Sequence, residues 1–333
     1  MEEINKIANG FTLVNPSEMF DEMIEYSRKG SLKGVYLGFP NIHKYYSMSL
    51  PGVTDWTGFP TSGKSQILME ILLNTSLYYG WKHLIYMPDV GNDVEIISDL
   101  IHKKTGKSFD NKYPNHITET EIANELPWIK EHFVILTKSD LKAKISPYQF
   151  WEIAIDLKRK KGLQTASIDS WKDMRHDTSK FGRDDKYLED VLSYRNSIAE
   201  RHSLHLHTVI HPTRTDKDSN GHRKPPTPYD LKGGTEWFNN GKCMITVHRN
   251  PDMFNKTEIF FNKIKPRSIG EQGSTEMYFD VEKFVYFNDV NGKKVYAEQE
   301  YKEPEDPVLY SSFDQKNEDI YKHLQYKQEE IPF

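Results

Sequence analysis

Cysteine is nearly missing: Cys243 stands alone among 333 residues. One thiol excludes an internal disulfide framework and a cysteine-built zinc site, and it fits a reducing cytoplasm. Long apolar runs are missing too. The opening MEEINKIANG is polar and acidic, without the apolar core of a signal peptide, and no stretch approaches the roughly 20 apolar residues that span a bilayer. A cytoplasmic location and no membrane partner are expected. A strong excess of one charge is absent from the chain as a whole, whose formal net charge is −5. That small total hides segregation. Residues 298–333 carry ten acids and four bases, so the body before them is near neutral.

What is present is apolar material enough for a core, 37% hydrophobic and 13% aromatic, which argues against global disorder. The length suits one large α/β domain with extensions, or two small domains. Asn15-Pro16-Ser17-Glu18 reads as a helix start, and Gly30 is suited to stop that helix; Met19, Phe20, Met23 and Ile24 form one apolar stripe on it. Short β runs at 53–57, 83–87, 133–137, 164–168 and 204–210 alternate with helical stretches at 64–79, 93–104, 147–161 and 187–202. That alternation predicts a mostly parallel twisted sheet flanked by helices. From 243 onward the β runs follow one another with turn-like links, at 243–248, 257–261, 276–281 and 284–286, and predict an antiparallel extension near the C-terminus. We divide the chain into an N-terminal helix and linker (1–37), an α/β domain (38–297) and an acidic tail (298–333) that composition makes mobile.

GFPTSGKS at 58–65 matches G-x-x-x-x-G-K-[ST] between a predicted strand and a predicted helix. Gly58, Phe59, Pro60, Thr61, Ser62 and Gly63 would wrap backbone N–H groups around phosphate oxygens, and the helix that follows adds its positive end. Lys64 would neutralise the β/γ-phosphates of ATP or another nucleoside triphosphate, and Ser65 would hold Mg²⁺. Chance alone produces four such fixed positions in a chain this long about 1% of the time.

A phosphate cradle needs a second carboxylate for the metal, and TASIDSW at 165–171 offers Asp169 at the end of a β run. YMPDV at 86–90 presents Asp89, a candidate to orient or deprotonate the attacking water. HPTR at 211–214 puts His211 after another strand, where it would sense the γ-phosphate. His202, His205, His207 and His211 invite a metal reading, but no carboxylate or thiol lies at ligand spacing, and we expect no such metal site.

The run GFPNIHKYYSMSLPGVTDWTGFPTSGKS at 38–65, followed by GWKHLIYMPD at 80–89, resembles the RecA-like helicase domain of Twinkle and the phage primase-helicases. These belong with the DnaB-type replicative helicases in superfamily four. The resemblance spans roughly residues 30 to 285. It implies a RecA-like fold, ATP hydrolysis and DNA unwinding. It supports Lys64 and Ser65 on nucleotide and metal, Asp169 as the metal carboxylate and His211 as the polar sensor. Lys265-x-Arg267-x-x-Gly270-x-x-Gly273 looks like the family's K-x-R-x-x-G-x-x-G, in which the arginine reaches into a neighbouring subunit's ATP site with the lysine beside it. One departure is plain: the family usually carries glutamate where this chain has Asp89, one methylene shorter, with Glu95 as an alternative carboxylate.

A cation given to a neighbour requires a head-to-tail assembly, and the resemblance implies a hexameric ring. The loop 211–232 would then face the centre, with Arg214, Lys217, Arg223, Lys224 and Lys232 on single-stranded DNA phosphate and Gly233 and Gly234 bringing backbone N–H groups close. The tail ends Glu329-Glu330-Ile331-Pro332-Phe333, which suits a replication partner such as a polymerase or primase. A bacterial cell or a phage-infected host is the expected setting. Two alternatives stay open at this point: another RecA-like DNA-dependent ATPase of recombinase or KaiC type, and an ATP-gated DNA clamp or loading factor with weak hydrolysis.

Overall fold

The structure, a computed structural model, describes residues 14–30, 34–140, 142–213, 215–219, 221–249, 252–253 and 255–297. Arg214 and the acidic tail with Phe333 lie outside the described residues. The chain divides into two compact units, Met1–Lys33 and Gly34–Phe333.

In the first unit the Asn15 side chain accepts from Ser17 N and caps a 3₁₀ turn, Pro16–Glu18. The α-helix proper starts later than expected, at Phe20–Lys29, because Met19 takes a non-helical ψ of 13° between the two. Gly30, at φ 72°, ends it as predicted. Phe20 and Met23, from its apolar stripe, are exposed.

The second unit is built on a sheet in the order β10-β9-β8-β7-β6-β1-β5-β4-β2-β3. The predicted parallel strands are present as β1 (Gly52–Thr57), β2 (His83–Tyr86), β3 (Phe133–Ile135), β4 (Thr165–Asp169) and β5 (His205–Ile210). β6 (Cys243–His248) corrects the expectation for the C-terminal strands: it runs parallel to β1, and the antiparallel part begins only at β7 (Lys256–Lys263). β8 (Gly273–Asp280), β9 (Val285–Val290) and β10 (Lys293–Tyr296) continue it.

Side chains alternate across this sheet with the two-residue period of extended chain. On β2, Leu84 and Tyr86 enter one core while Ile85 enters the other, as does Met87 just past the strand. One core holds the helix Lys64–Tyr79, which is buried nearly all round, with the helices Asp93–Thr105 and Glu119–His132 beyond it. The other holds the helices Pro147–Lys161, Asp184–His202 and Gly234–Asn240. Helices on both faces of a mostly parallel sheet, with an antiparallel edge, are the RecA-like arrangement the sequence predicts. Among the described residues three helices were not in the pattern, the first of them the single turn Pro40–His43. Glu119–His132 carries Pro127 in its interior, although a Thr118/Glu121 capping box marks its start. Gly234–Asn240 is only two turns long.

A buried ion pair ties the layers together. The Arg195 guanidinium, on the helix Asp184–His202, pairs with both oxygens of Asp55 on β1, and Arg195 Nη1 also donates to Thr208 Oγ1 on β5 at 2.9 Å. Both charged residues are essentially unexposed. Trp237 closes the site, its ring centroid 5.5 Å from the guanidinium carbon. Among the described residues no helix is long and apolar enough to cross a membrane.

Candidate active site

β1, β4, β2 and β5 run parallel, so their C-terminal ends converge on one edge of the sheet, where such folds bind ligands. The Gly58–Ser65 loop leaves β1 there. Gly58 has φ 150°, and a Cβ on it would sit 2.1 Å from Val247 O, so only glycine fits against β6. Gly63, at φ 96°, turns the chain into the helix that begins at Lys64. Thr61 holds a positive φ of 65°. Lys64 is 4% exposed and its Nζ donates to Phe59 O at 2.8 Å, folding the ammonium back over the loop. Burial pulls its pKa down to about 8, with Asp169 and Asp89 working the other way. The Ser62 Oγ is buried without a partner.

Asp169 ends β4 and is 1% exposed. Burial pushes its carboxyl up to about 6, against the Ser65 hydrogen bond and the Lys64 charge. Its Oδ2 is buried with no hydrogen-bond partner. An orphaned carboxylate oxygen beside a serine hydroxyl and below a lysine is the donor set a hard divalent cation takes, so the residues fit Mg²⁺. A cis peptide joins Asp169 to Ser170.

Asp89 follows β2 and faces the same edge, at the centre of a polar cluster. Lys172 Nζ lies 2.9 Å from it, Ser170 Oγ 3.1 Å and His211 Nε2 3.3 Å. Burial opposes the effect, but these partners together hold its carboxyl below the ordinary value. His211, brought in by β5, has its own pKa lowered by burial and by Lys64, Asp89 opposing. Glu95, the alternative carboxylate, is committed elsewhere. It closes a capping box with Asn92 on the helix Asp93–Thr105, its Oε2 accepting Asn92 N at 2.7 Å.

Lys265 and Arg267 are not at this edge. β7 is antiparallel to β6, so it starts at the cradle end and delivers both residues to the far end of the sheet, where they are exposed. They lie beside the start of β6, where the Cys243 thiol donates to Lys265 O at 3.6 Å.

The loop after His211 folds back as a small hairpin, with Pro212 bridged to Leu231 and Lys217 bridged to Arg223. Lys217, Arg223, Lys224 and Lys232 are exposed, and Lys232 pairs with Asp184 at 2.8 Å. The Arg223 guanidinium sits 4.6 Å from the Phe59 ring centroid. Gly233 (φ 71°) caps the helix Gly234–Asn240, and a Cβ on Gly234 would lie 2.6 Å from Pro228 O, so this turn admits little but glycine.

Three residues beside the cradle escaped the sequence reading. Lys172 holds Asp89. Tyr286 of β9 puts its hydroxyl 3.3 Å from Gly63 O, and Arg249 packs its guanidinium behind the same glycine. Tyr286 is held in turn by Glu70, whose carboxylate accepts Tyr286 N at 2.9 Å and pairs with the buried Lys103. None of the three belongs to a motif; each comes from a turn, a strand end or the antiparallel strand β9, which only the fold brings near.

His205 and His207 share one face of β5, as predicted, but as core residues. His205 Nε2 bonds Thr54 Oγ1 at 2.8 Å, and Trp56 Nε1 donates to His207 Nδ1 at 3.2 Å. Burial lowers both pKa values, that of His205 to about 4. Among the described residues no group of three or more His, Cys, Asp or Glu is placed to hold a metal.

A phosphate cradle, a buried strand-end aspartate and a mostly parallel sheet with an antiparallel edge together define a RecA-like fold with a P-loop at its ligand edge. The particular likenesses agree. The chain is similar to the Twinkle homolog protein, chloroplastic/mitochondrial, of Arabidopsis thaliana, 24% identical over 274 residues, which is 79% of this chain and 38% of the relative. It therefore spans well under half the length of that protein. Its fold is similar to the ATPase domain of G40P, with a TM-score of 0.67 and 15% identity over 86% of this chain and all of the other. It is likewise similar to a DnaB-like replicative helicase described with its primase interactions, with a TM-score of 0.65 and 16% identity over 86% of this chain and 69% of the other. No protein-family model matches the chain.

Proposed function

We propose that this chain is the motor of a ring-forming helicase that hydrolyses ATP, moves along single-stranded DNA and separates the duplex during replication. The observation that carries the reading is a division of labour along the sheet. Lys64, Ser65, Asp169 and Asp89 gather at one end, while Lys265 and Arg267 stand exposed at the other. Along eight residues of β7 that separation is roughly 25 Å, too far for Arg267 to serve its own cradle. A head-to-tail neighbour brings the two ends together, and repeated around a closed rotation it makes a ring, with six copies as the expected number.

In this reading the cradle loop and Lys64 bind the triphosphate of ATP. Ser65 and Asp169 hold Mg²⁺, which when bound neutralises phosphate charge. Asp89 orients the attacking water rather than taking its proton, because a carboxyl held below its ordinary pKa is a weak base. His211, touching Asp89 on one side and leading into the 211–232 hairpin on the other, passes the state of the cradle to that loop. Lys217, Arg223, Lys224 and Lys232, with Arg214, contact DNA phosphate without reading sequence, and Gly233 and Gly234 let backbone approach it. Arg267 and Lys265 of one copy stabilise the transferring phosphoryl group held by the next, an effect worth ~10³-fold or more. Residues 1–37 serve as the arm that grips a neighbour. The acidic tail ending in Phe333 recruits a replication partner such as a polymerase or primase, in the cytoplasm of a bacterial or phage-infected cell.

The test mixes variants. Arg267→Ala keeps its cradle and lacks the finger, whereas Lys64→Ala keeps the finger and lacks a working cradle. Each alone should lose DNA-stimulated ATP turnover, and the mixture should recover part of it. Full turnover by Arg267→Ala on its own refutes the motor.

A further inference from the structure

The turn that carries Lys265 and Arg267 is seated on a strap earlier in the chain, and the seat explains both glycines that follow it. Ile269 O accepts from Ser47 N at 2.8 Å and from Ser47 Oγ at 3.0 Å. Glu271 N donates to Tyr45 O at 3.1 Å. Gly270 backs onto the same carbonyl, and a Cβ there would lie 2.0 Å from Tyr45 O, at a φ of 148° that side chains rarely adopt. Gly273 faces the Tyr45 ring, where a Cβ would meet Cε1 at 2.3 Å. That ring also stacks on Phe261, the residue paired with Gly273 across β7 and β8, centroid to centroid 5.2 Å. Ser47 is 5% exposed, so its two bonds to Ile269 O are shielded from competing water.

We infer that Tyr45 and Ser47 are positioning residues for the cation pair, holding the Lys265/Arg267 turn at the angle from which it reaches a neighbouring copy's nucleotide. The inference rests on the proposed donation in trans and adds what orients the donor. Neither residue touches nucleotide. Arg267 is exposed on a three-residue 3₁₀ turn, which is too short to fix its own direction, so the strap must do it. A misplacement of about 1 Å at such a group costs ~10²-fold in rate.

Gly270→Ala is the direct test, read by steady-state ATP turnover with single-stranded DNA. The expected result is a kcat lowered roughly tenfold or more with KM for ATP changed less than about twofold, since the variant's own cradle is intact. Mixed with Lys64→Ala, it should recover turnover, because its cradle then meets a correctly held Arg267 from the neighbour. Should Gly270→Ala fail to fold by circular dichroism, Gly273→Ala replaces it, since its Cβ meets a movable ring rather than backbone. The same kcat loss and the same recovery are expected. A folded variant with parental kcat overturns the inference. So does a variant that stays inactive with Lys64→Ala while the Arg267→Ala and Lys64→Ala mixture recovers. If neither mixture recovers, donation in trans is wrong and the inference falls with it.

Discussion

The guanidinium of Arg223 lies against the ring of Phe59, 4.6 Å from its centroid, and so joins the basic hairpin after β5 to the second residue of the phosphate cradle within one copy. Both partners were singled out for separate tasks, one for DNA and one for nucleotide. On the proposed function, that contact couples the hairpin's position to the conformation of the cradle. A cation–π contact at a partly exposed site contributes about 0.5–1 kcal/mol. Phe59→Leu removes the ring and keeps the bulk. Its DNA-stimulated turnover should fall about two- to fivefold, with turnover in the absence of DNA less affected. Equal losses with and without DNA would mean that the contact is only packing.

Asp169→Asn tests the metal assignment. The substitution keeps shape and removes charge from an oxygen that is buried without a partner. Turnover should drop by ~10²-fold or more, and the Mg²⁺ concentration for half-maximal rate should rise. Unaltered metal dependence would place the ion elsewhere.

The Asp55–Arg195 pair gives a stability prediction with two arms. Asp55→Ala leaves a buried guanidinium uncompensated and should cost about 3–5 kcal/mol, a fall in melting temperature on the order of 10 °C. Asp55→Leu combined with Arg195→Met removes both charges and should recover most of that loss. Thermal denaturation of the single and double variants separates these outcomes.

Acid should destabilise the fold through its buried histidines. His83 is lowered to about 3 and His205 to about 4 by burial, and His207 lies well below its ordinary value. A depressed folded-state pKa means the unfolded chain binds more protons, so the stability is present above pH 6.5 and lost as pH falls toward 4. At pH 5 His83 and His205 each contribute about 2 kcal/mol to that loss, and His207 adds to it in the same direction. His207→Leu should flatten the acid limb between pH 6.5 and 5, even though Trp56 Nε1 loses its acceptor. A melting temperature in the parent chain that does not change over this range would contradict the buried, neutral assignment.

The parts of the site most legible in the sequence were those where backbone geometry restricts residue choice. Gly58 and Gly63 have no room or no permitted φ for a side chain, so the cradle is written in residue types. The place of Asp169 was legible because the β run before it stops at that carboxylate. The direction of β6 was not, since a run of six buried residues reads alike in a parallel or an antiparallel pair. Lys172, Arg249 and Tyr286 were hidden because the contacts that bring them to the cradle lie across the sheet. The Asp55–Arg195 pair was hidden for a related reason: in sequence, each looks like an ordinary surface charge. The helix Glu119–His132 was masked by Pro127, although its capping box was there to be seen.

The antiparallel course of β7 has an arithmetic consequence. On the proposed function, each copy brings half of one reaction chamber at one end and half of another at the opposite end. A row of copies that fails to close always leaves one chamber unfinished, and a solitary copy finishes none. Catalytic output per molecule should therefore climb with protein concentration, levelling off once the circle is shut.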